Sequence, residues 1–332
     1  MRRRSVLLAV PAGLLTLAGC GDDENNKDKK VKADKADTSK SPETQPSGKT
    51  VTGPLPEITK GTEFGQKPTV AKGPGKPSPD LAVKTLIPGR GETVAKGDFL
   101  QVNYLGQIWK DAKVFDNSYD RGKLAIFPIG IGKVIPGWDQ ALVGKKVNSR
   151  VELAAPPALG YGSEGNADAG IKGDDTLVFV VDIVGTFNTK SSAHGKEVKQ
   201  EDKALPVVST NTDGKAPTIE LPKGKAPTKL VSNYVLEGDG DELKESDAVM
   251  VQYKGVLWDG GKEFDSSYAS KQLAQFSLQQ VVPGWTKGLA GKKTGSRVLI
   301  VVPPDMGYGK QAKGGIPANS TLVFTVDILA IL

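Results

Sequence analysis

The stretch VFDNSYDRG (Val114 to Gly122) returns as EFDSSYASK (Glu263 to Lys271), keeping Phe-Asp-x-Ser-Tyr but placing Ser270 where the first has Arg121. Asp116, between Phe115 and Asn117, is either a turn-forming Asx residue or a group with a chemical task. The rest of the chain narrows that task. It holds one histidine, His194, in a polar stretch, and one cysteine, Cys20, near the N-terminus. Ser-His-Asp and Cys-His catalysis need a histidine set against a nucleophile, and most zinc sites need several imidazoles or thiolates. Those chemistries are excluded, and nothing calls for a metal or a cofactor.

The repeated motif belongs to a repeated domain. A chain of 332 residues exceeds what one core usually serves, which predicts about two domains. Pro68 and Pro217, Leu81 and Leu230, Asp98 and Asp247, Tyr104 and Tyr253, and Phe115 and Phe264 all stand 149 residues apart. The offset shortens to 147 at Trp138 and Trp285 and at Tyr161 and Tyr308, then to 145 at Phe179 and Phe324. Two small loop deletions account for this. A repeat of such length is a whole domain with its own core.

Within each copy, 40 Gly and 22 Pro favour short strands and turns. Asp98 to Gly106 alternates, with Val102 and Tyr104 on the face opposite Phe99 and Asn103, and Thr176 to Gly185 is apolar enough for a buried strand. Pro136 to Gly144 has proline in a first turn and a closing glycine, the marks of one short helix. The expected class is α+β: a curled antiparallel sheet on one short helix, twice, with a concave face open to a ligand.

The copies then resemble FKBP-type peptidyl-prolyl cis-trans isomerases over roughly residues 66–187 and 215–332. The resemblance rests on Val102-Asn103-Tyr104-Leu105-Gly106, Val114-Phe115-Asp116, Val134-Ile135-Pro136-Gly137-Trp138, Leu159-Gly160-Tyr161-Gly162 and Thr176-Leu177-Val178-Phe179. The second copy repeats them around Tyr253, Phe264-Asp265, Val281-Val282-Pro283-Gly284-Trp285, Tyr308 and Phe324. The family's reaction rotates an X-Pro amide through a twisted state that has lost resonance, against a barrier of about 18 to 20 kcal/mol. Water favours the planar, polar ground state, so a pocket that excludes water favours the twisted one.

The resemblance implies roles residue by residue. Tyr104, Phe115, Trp138, Ile135, Ile171 and Phe179 would wall the first pocket, with Phe127 and Val134 also touching substrate. Tyr253, Phe264, Phe276, Val281, Val282, Trp285, Ile316 and Phe324 would wall the second. Trp138 would lie under the proline ring, the Ile135 backbone N–H would hold the peptide, and the Tyr161 or Tyr308 hydroxyl would bond a substrate carbonyl. Asp116 would be held by a tyrosine hydroxyl and Arg121, so Asp265, with Ser270 in place of the arginine, would be less firmly oriented and the second copy less active. Ala125 and Ala274 stand where the family has phenylalanine, predicting a smaller wall and weak binding of macrolides such as rapamycin. Buried aromatics at these spacings also suit a plain core.

Ahead of the copies, Arg2, Arg3 and Arg4 precede an apolar run from Val6 to Ala18, the shape of an export signal. It is short for a membrane span. Leu17-Ala18-Gly19-Cys20 resembles a bacterial lipobox, implying lipidation of Cys20 and attachment outside the cytoplasmic membrane, by general secretion or the twin-arginine route. Two or more acyl chains anchor stably, each buried CH₂ adding about 0.8 kcal/mol. Residues 1–20 are thus expected to be a signal peptide and 21–61 a disordered tether reaching roughly 35 Å. Residues 62–187 would be domain one, 188–212 a solvated linker and 213–332 domain two. The segments from Pro68 and Pro217 share register and belong to the domains, with no role legible.

Net charge of +6 is spread over mixed Lys, Asp and Glu, not gathered in the basic stripe that nucleic-acid binding needs. A transporter's solute-binding lipoprotein would need a long βα alternation that is missing. Two readings stay open: a monomeric exported isomerase acting on proline-containing peptides and unfolded exported proteins, or a non-catalytic peptide-gripping module, above all in copy two.

Overall fold

The computed structural model describes residues 49–332. The export signal, Cys20 and most of the tether lie outside the described residues. In the first copy the strands are β1 (Thr50–Val51), β2 (Ile58–Lys60), β3 (Thr69–Val70), β4 (Leu81–Ile87), β5 (Phe99–Ile108), β6 (Val114–Asn117), β7 (Ala125–Pro128), β8 (Arg150–Ala155) and β9 (Leu177–Phe187), with helix α1 (Pro136–Leu142). The second has β10 (Lys196–Glu197), β11 (Val207–Val208), β12 (Ile219–Glu220), β13 (Val231–Glu237), β14 (Ala248–Leu257), β15 (Glu263–Ser266), β16 (Ala274–Ser277), β17 (Arg297–Val302) and β18 (Leu322–Ile331), with α2 (Ser267–Ser270) and α3 (Pro283–Leu289).

Each copy builds its own seven-stranded sheet. The first runs β1-β4-β8-β9-β5-β6 with β7 also on β5; the second runs β10-β13-β17-β18-β14-β15 with β16 on β14. Pairing is antiparallel except where β1 lies parallel to β4. This is the α+β architecture the alternation and the short helix predict. Burial alternates along the start of β5, where Leu100, Val102 and Tyr104 are buried and the residues between them half-buried. In the second copy, Val249, Val251, Tyr253, Trp285, Leu289, Ile300, Phe324 and Val326 form the core between sheet and helix. The Pro-Gly-Trp start of each helix fits that packing: proline needs no N–H partner in a first turn, and a Cβ at Gly284 would stand 2.4 Å from Val302. Copy two departs from the one-helix expectation, because the Ser266 hydroxyl accepts the Ala269 N–H and caps the extra turn α2.

The boundaries need correction. Residues 49–61, expected in the disordered tether, include β1 and β2, and β2 pairs with β3. Residues 188–212, expected to be solvated linker, include β10 on β13 and β11 on β12. Each hairpin straps the sheet face opposite the helix. Val70 packs there with Ala82, Trp109, Ala154, Val178 and Val180, and Val208 with Trp258, Leu299, Val301 and Val323. The Trp109 indole N–H donates to Gly75 O at 2.9 Å and that of Trp258 to Gly224 O at 3.2 Å. This gives the segments from Pro68 and Pro217 their role. Few apolar residues suffice because the straps are held by hydrogen bonds to buried side chains. His194 is exposed and its backbone N–H donates to Gly295 O.

Candidate active site

The recurring Phe-Asp-x-Ser-Tyr distributes its side chains over both faces of each sheet. Facing the helix, the Phe115 ring meets Phe179 edge-on at 5.6 Å, Phe179 meets Trp138 at 5.4 Å and Trp138 meets Tyr104 at 5.3 Å. In copy two, Phe264 to Phe324, Phe324 to Trp285 and Trp285 to Tyr253 span 5.5, 5.3 and 5.4 Å. Such T-shaped pairs add about 0.5 to 1.5 kcal/mol each beyond their burial and fix the rings' angles. Gly106 and Gly255 permit the box. A Cβ at either would lie 2.7 Å from the Phe115 or Phe264 ring tip and 2.9 Å from Phe179 or Phe324.

The aspartates hold the polar edge. In copy one the Tyr104 hydroxyl and Arg121 Nη1 both donate to Asp116, and Arg121 Nη2 donates to the Tyr104 oxygen at 3.0 Å. Burial, then the bond and charge of Asp116, push the Tyr104 phenol well above its ordinary range, so it stays a donor at neutral pH. In copy two, Tyr253 donates to Asp265 at 2.5 Å, while Ser270 donates back to Ser267 O at 3.1 Å, and among the described residues no cation pairs with Asp265. The motif's serine fixes the tyrosine's strand: Ser118 and Ser267 hydroxyls accept the Tyr104 and Tyr253 N–H at 2.9 and 2.8 Å.

The helix start and the late loop complete each rim. Ile135 and Val282 cap α1 and α3. Their carbonyls accept from the Trp138 and Trp285 N–H at 2.9 and 2.8 Å, while their own N–H groups donate to nothing among the described residues. Val134 and Ile135 are half-buried beside them and Ile171 is buried. Tyr161 is half-buried on the late loop, and burial raises its phenol, opposed by the Asn166 side chain and aided by the Asp116 charge. Phe276, Val281, Val282, Tyr308 and Ile316 all pack into the cluster of Tyr253, Trp285 and Phe324. The smaller wall expected at Ala274 is filled otherwise: Phe276, two residues on and so on the same strand face, meets Tyr253 at 5.7 Å and Trp285 at 5.3 Å. Phe127 occupies the matching place on β7, opposite Leu100.

A family model described as FKBP-type peptidyl-prolyl cis-trans isomerase matches residues 90–184 and 240–329. The chain belongs to the FKBP family. Over 244 residues it is 31% identical to "Peptidyl-prolyl cis-trans isomerase FKBP9" of Rattus norvegicus, covering 73% of this chain and 36% of that relative. Over 102 residues it is 50% identical to "FKBP-type peptidyl-prolyl cis-trans isomerase FkpA" of Escherichia coli (strain K12), covering 31% of this chain and 37% of that one. The crystal structure of FkpA from Escherichia coli matches at 48% identity with a TM-score of 0.30, over 32% of this chain and 50% of that chain. The chain thus spans little more than a third of the length of these curated relatives.

Several residues of the FKBP domains escaped the sequence reading. Gly106, Ser118 and Ser267 sit inside the repeated motifs and Gly255 two residues after Tyr253, yet only the ring contacts and the strand pairing disclose their work. Tyr119 and Tyr268, the last residues of Phe-Asp-x-Ser-Tyr, turn to the strap face and donate to Asp182 and Asp327 at 3.1 and 3.3 Å. The family match begins at residues 90 and 240, after both hairpins. Among the described residues there is no metal-ligand cluster and no helix long and apolar enough to cross a membrane.

Proposed function

We propose that this FKBP chain is a peptidyl-prolyl cis-trans isomerase that assists the folding of exported proteins from a lipid anchor at Cys20, on the outer side of the cytoplasmic membrane. The observation that carries the activity is the box of Tyr104, Phe115, Trp138 and Phe179 beside an uncommitted Ile135 N–H. The rings offer a twisted, depolarised amide an apolar surround, and the N–H gives the peptide one directional bond. Uncatalysed isomerisation takes tens of seconds or longer, so a desolvating pocket accelerates folding steps limited by proline. Asp116, held by Tyr104 and Arg121, keeps the polar edge of the pocket fixed while substrate enters. Macrolides such as rapamycin would meet the same walls, with Phe127 and Phe276 in place of the absent ring at Ala125 and Ala274.

The direct test follows cis-to-trans relaxation of short X-Pro peptides with the full chain lacking residues 1–20. Acceleration lost on Trp138→Leu plus Trp285→Leu is expected; no acceleration by the parent chain refutes the reading. For the anchor, cells fed an alkyne-tagged fatty acid should label the chain, and Cys20→Ser should abolish the label; labelling that survives Cys20→Ser removes the anchor from the proposal.

One observation favours a second role for copy two. With Ser270 in place of the arginine, Asp265 has no cation partner among the described residues, so this pocket grips a chain more readily than it orients the amide. A copy-two pocket that suppresses aggregation of an unfolded client, yet leaves isomerisation unchanged, would be a holdase site.

A further inference from the structure

The two pockets have matching walls and differently charged rims. In copy two, Lys313 and Ile316 exchange both backbone hydrogen bonds, at 3.0 and 2.9 Å; in copy one, Asn166 and Ile171 do so at 2.8 and 2.9 Å. That pairing makes Lys313 and Asn166 counterparts although the loops differ in length. The Lys313 ammonium stands 5.3 Å from the centroid of the Tyr308 ring, a cation–π contact that parks the charge beside the pocket without neutralising it. Among the described residues Lys313 makes no ion pair. Lys310, exposed on the same loop, adds a second positive charge.

Copy one differs at each point. Neutral Asn166 stands in the place of Lys313, and the exposed charged residues around it are Glu164 and Asp168, with Lys172 beyond Ile171. Its own rim cation, Arg121, is committed to Asp116 and Tyr104. Copy one has the Lys113 ammonium beside Gly170 of its late loop, but among the described residues a cation lies over the ring of the tyrosine expected to bond the carbonyl in copy two alone.

We propose that the second pocket selects X-Pro segments carrying an acidic residue beside the proline, that Lys313 is the residue determining this preference, and that the first pocket lacks it. The inference rests on reading the pockets as X-Pro sites. An ammonium held over the Tyr308 ring attracts a carboxylate on a peptide bonded to that tyrosine and repels a lysine or arginine. The contact is solvent-exposed, so the preference is modest, roughly two- to fivefold per charge, and fades in high salt as the Debye length shrinks from about 10 Å at 0.1 M to about 3 Å at 1 M.

The experiment uses the intact chain. The indole resonances of Trp138 and Trp285, assigned with Trp→Phe variants, report the two pockets separately during titration with Ala-Glu-Pro-Phe, Ala-Lys-Pro-Phe and Ala-Ala-Pro-Phe peptides. The Trp285 signal should saturate at a several-fold lower concentration of the Glu peptide than of the Lys peptide, and Trp138 should not. Lys313→Asn should erase the preference, Lys313→Arg should keep it, and Asn166→Lys should confer it on Trp138. Equal response of Trp285 to the charged peptides, with the neutral peptide still bound, overturns the charge preference alone. If the neutral peptide moves neither indole and is not isomerised, the X-Pro reading of the pockets falls first and the preference with it.

Discussion

Arg150 lies flat against Asp182 beneath the first strap, its Nε and Nη2 each donating to a different carboxylate oxygen at 2.7 Å, with both side chains fully buried. Two further donors go to strap carbonyls, Gly61 O and Gln66 O, and Asp182 accepts the Gly65 N–H at 2.7 Å. Arg297 and Asp327 repeat the pair, with Arg297 donating to Ser209 O and Asn211 O and Asp327 accepting the Ala193 N–H. A buried charge without its partner costs more than the pair contributes, because desolvation is then uncompensated.

Removing one partner should therefore hurt more than removing both. Arg150→Met or Asp182→Leu alone is expected to lower stability by about 3 to 5 kcal/mol, and the double variant by clearly less than the sum. Urea unfolding followed by tryptophan fluorescence checks this. Additive losses would mean that the pair is not coupled.

Deletion of residues 49–66 should destabilise the first FKBP domain although the family match starts at residue 90. It strips the Arg150 guanidinium of two acceptors and bares the apolar face around Trp109 and Val178. Hydrogen bonds to charged groups are each worth about 1.5 to 3 kcal/mol. Urea midpoints of the full chain and the deletion variant give the comparison, and an unchanged first-domain transition would count against a structural strap.

Arg121→Ser should lower X-Pro turnover by copy one about three- to tenfold, the scale of one partly exposed charged hydrogen bond. Ser270→Arg should raise that of copy two. Measuring kcat/KM in chains whose other pocket carries Trp→Leu isolates each effect. No change in either direction would show that orientation of Asp116 does not matter to the reaction.

Glu152 supplies a pH dependence. It is 3% exposed on β8, opposite Lys84, its Oε1 accepts no hydrogen bond among the described residues, and burial pushes its carboxyl from 4.5 up to about 7 against the opposing Lys84 charge. A folded-state value above the unfolded one means that stability is fully present below about pH 4.5 and is lost as pH rises through about 7. Copy two has Leu299 at this place in its strap-face core. Glu152→Leu should therefore stabilise the first domain at pH 8 by on the order of 1 to 3 kcal/mol and leave it nearly unchanged at pH 4. A gain equal at both pH values would trace to packing instead.

The sequence by itself determined the repeat, the α+β class, the short Pro-Gly-Trp helix and the aromatic and aspartate residues of both pockets. These are legible because each is a local pattern: strand alternation, a helix start, or a motif whose order survives in both copies. Ring angles required the tertiary structure because the rings come from strands and a helix distant in sequence; the commitment of Arg121 to Asp116 and the charge of Lys313 over Tyr308 required it because each spans five residues of irregular chain, where no periodicity fixes which way a side chain turns. The straps depend on it most. Residues 49–61 and 188–212 are too polar to announce structure, and they order in part because their backbones at Gly61, Ala193, Ser209 and Asn211 meet donors and acceptors of buried Arg150, Asp327 and Arg297.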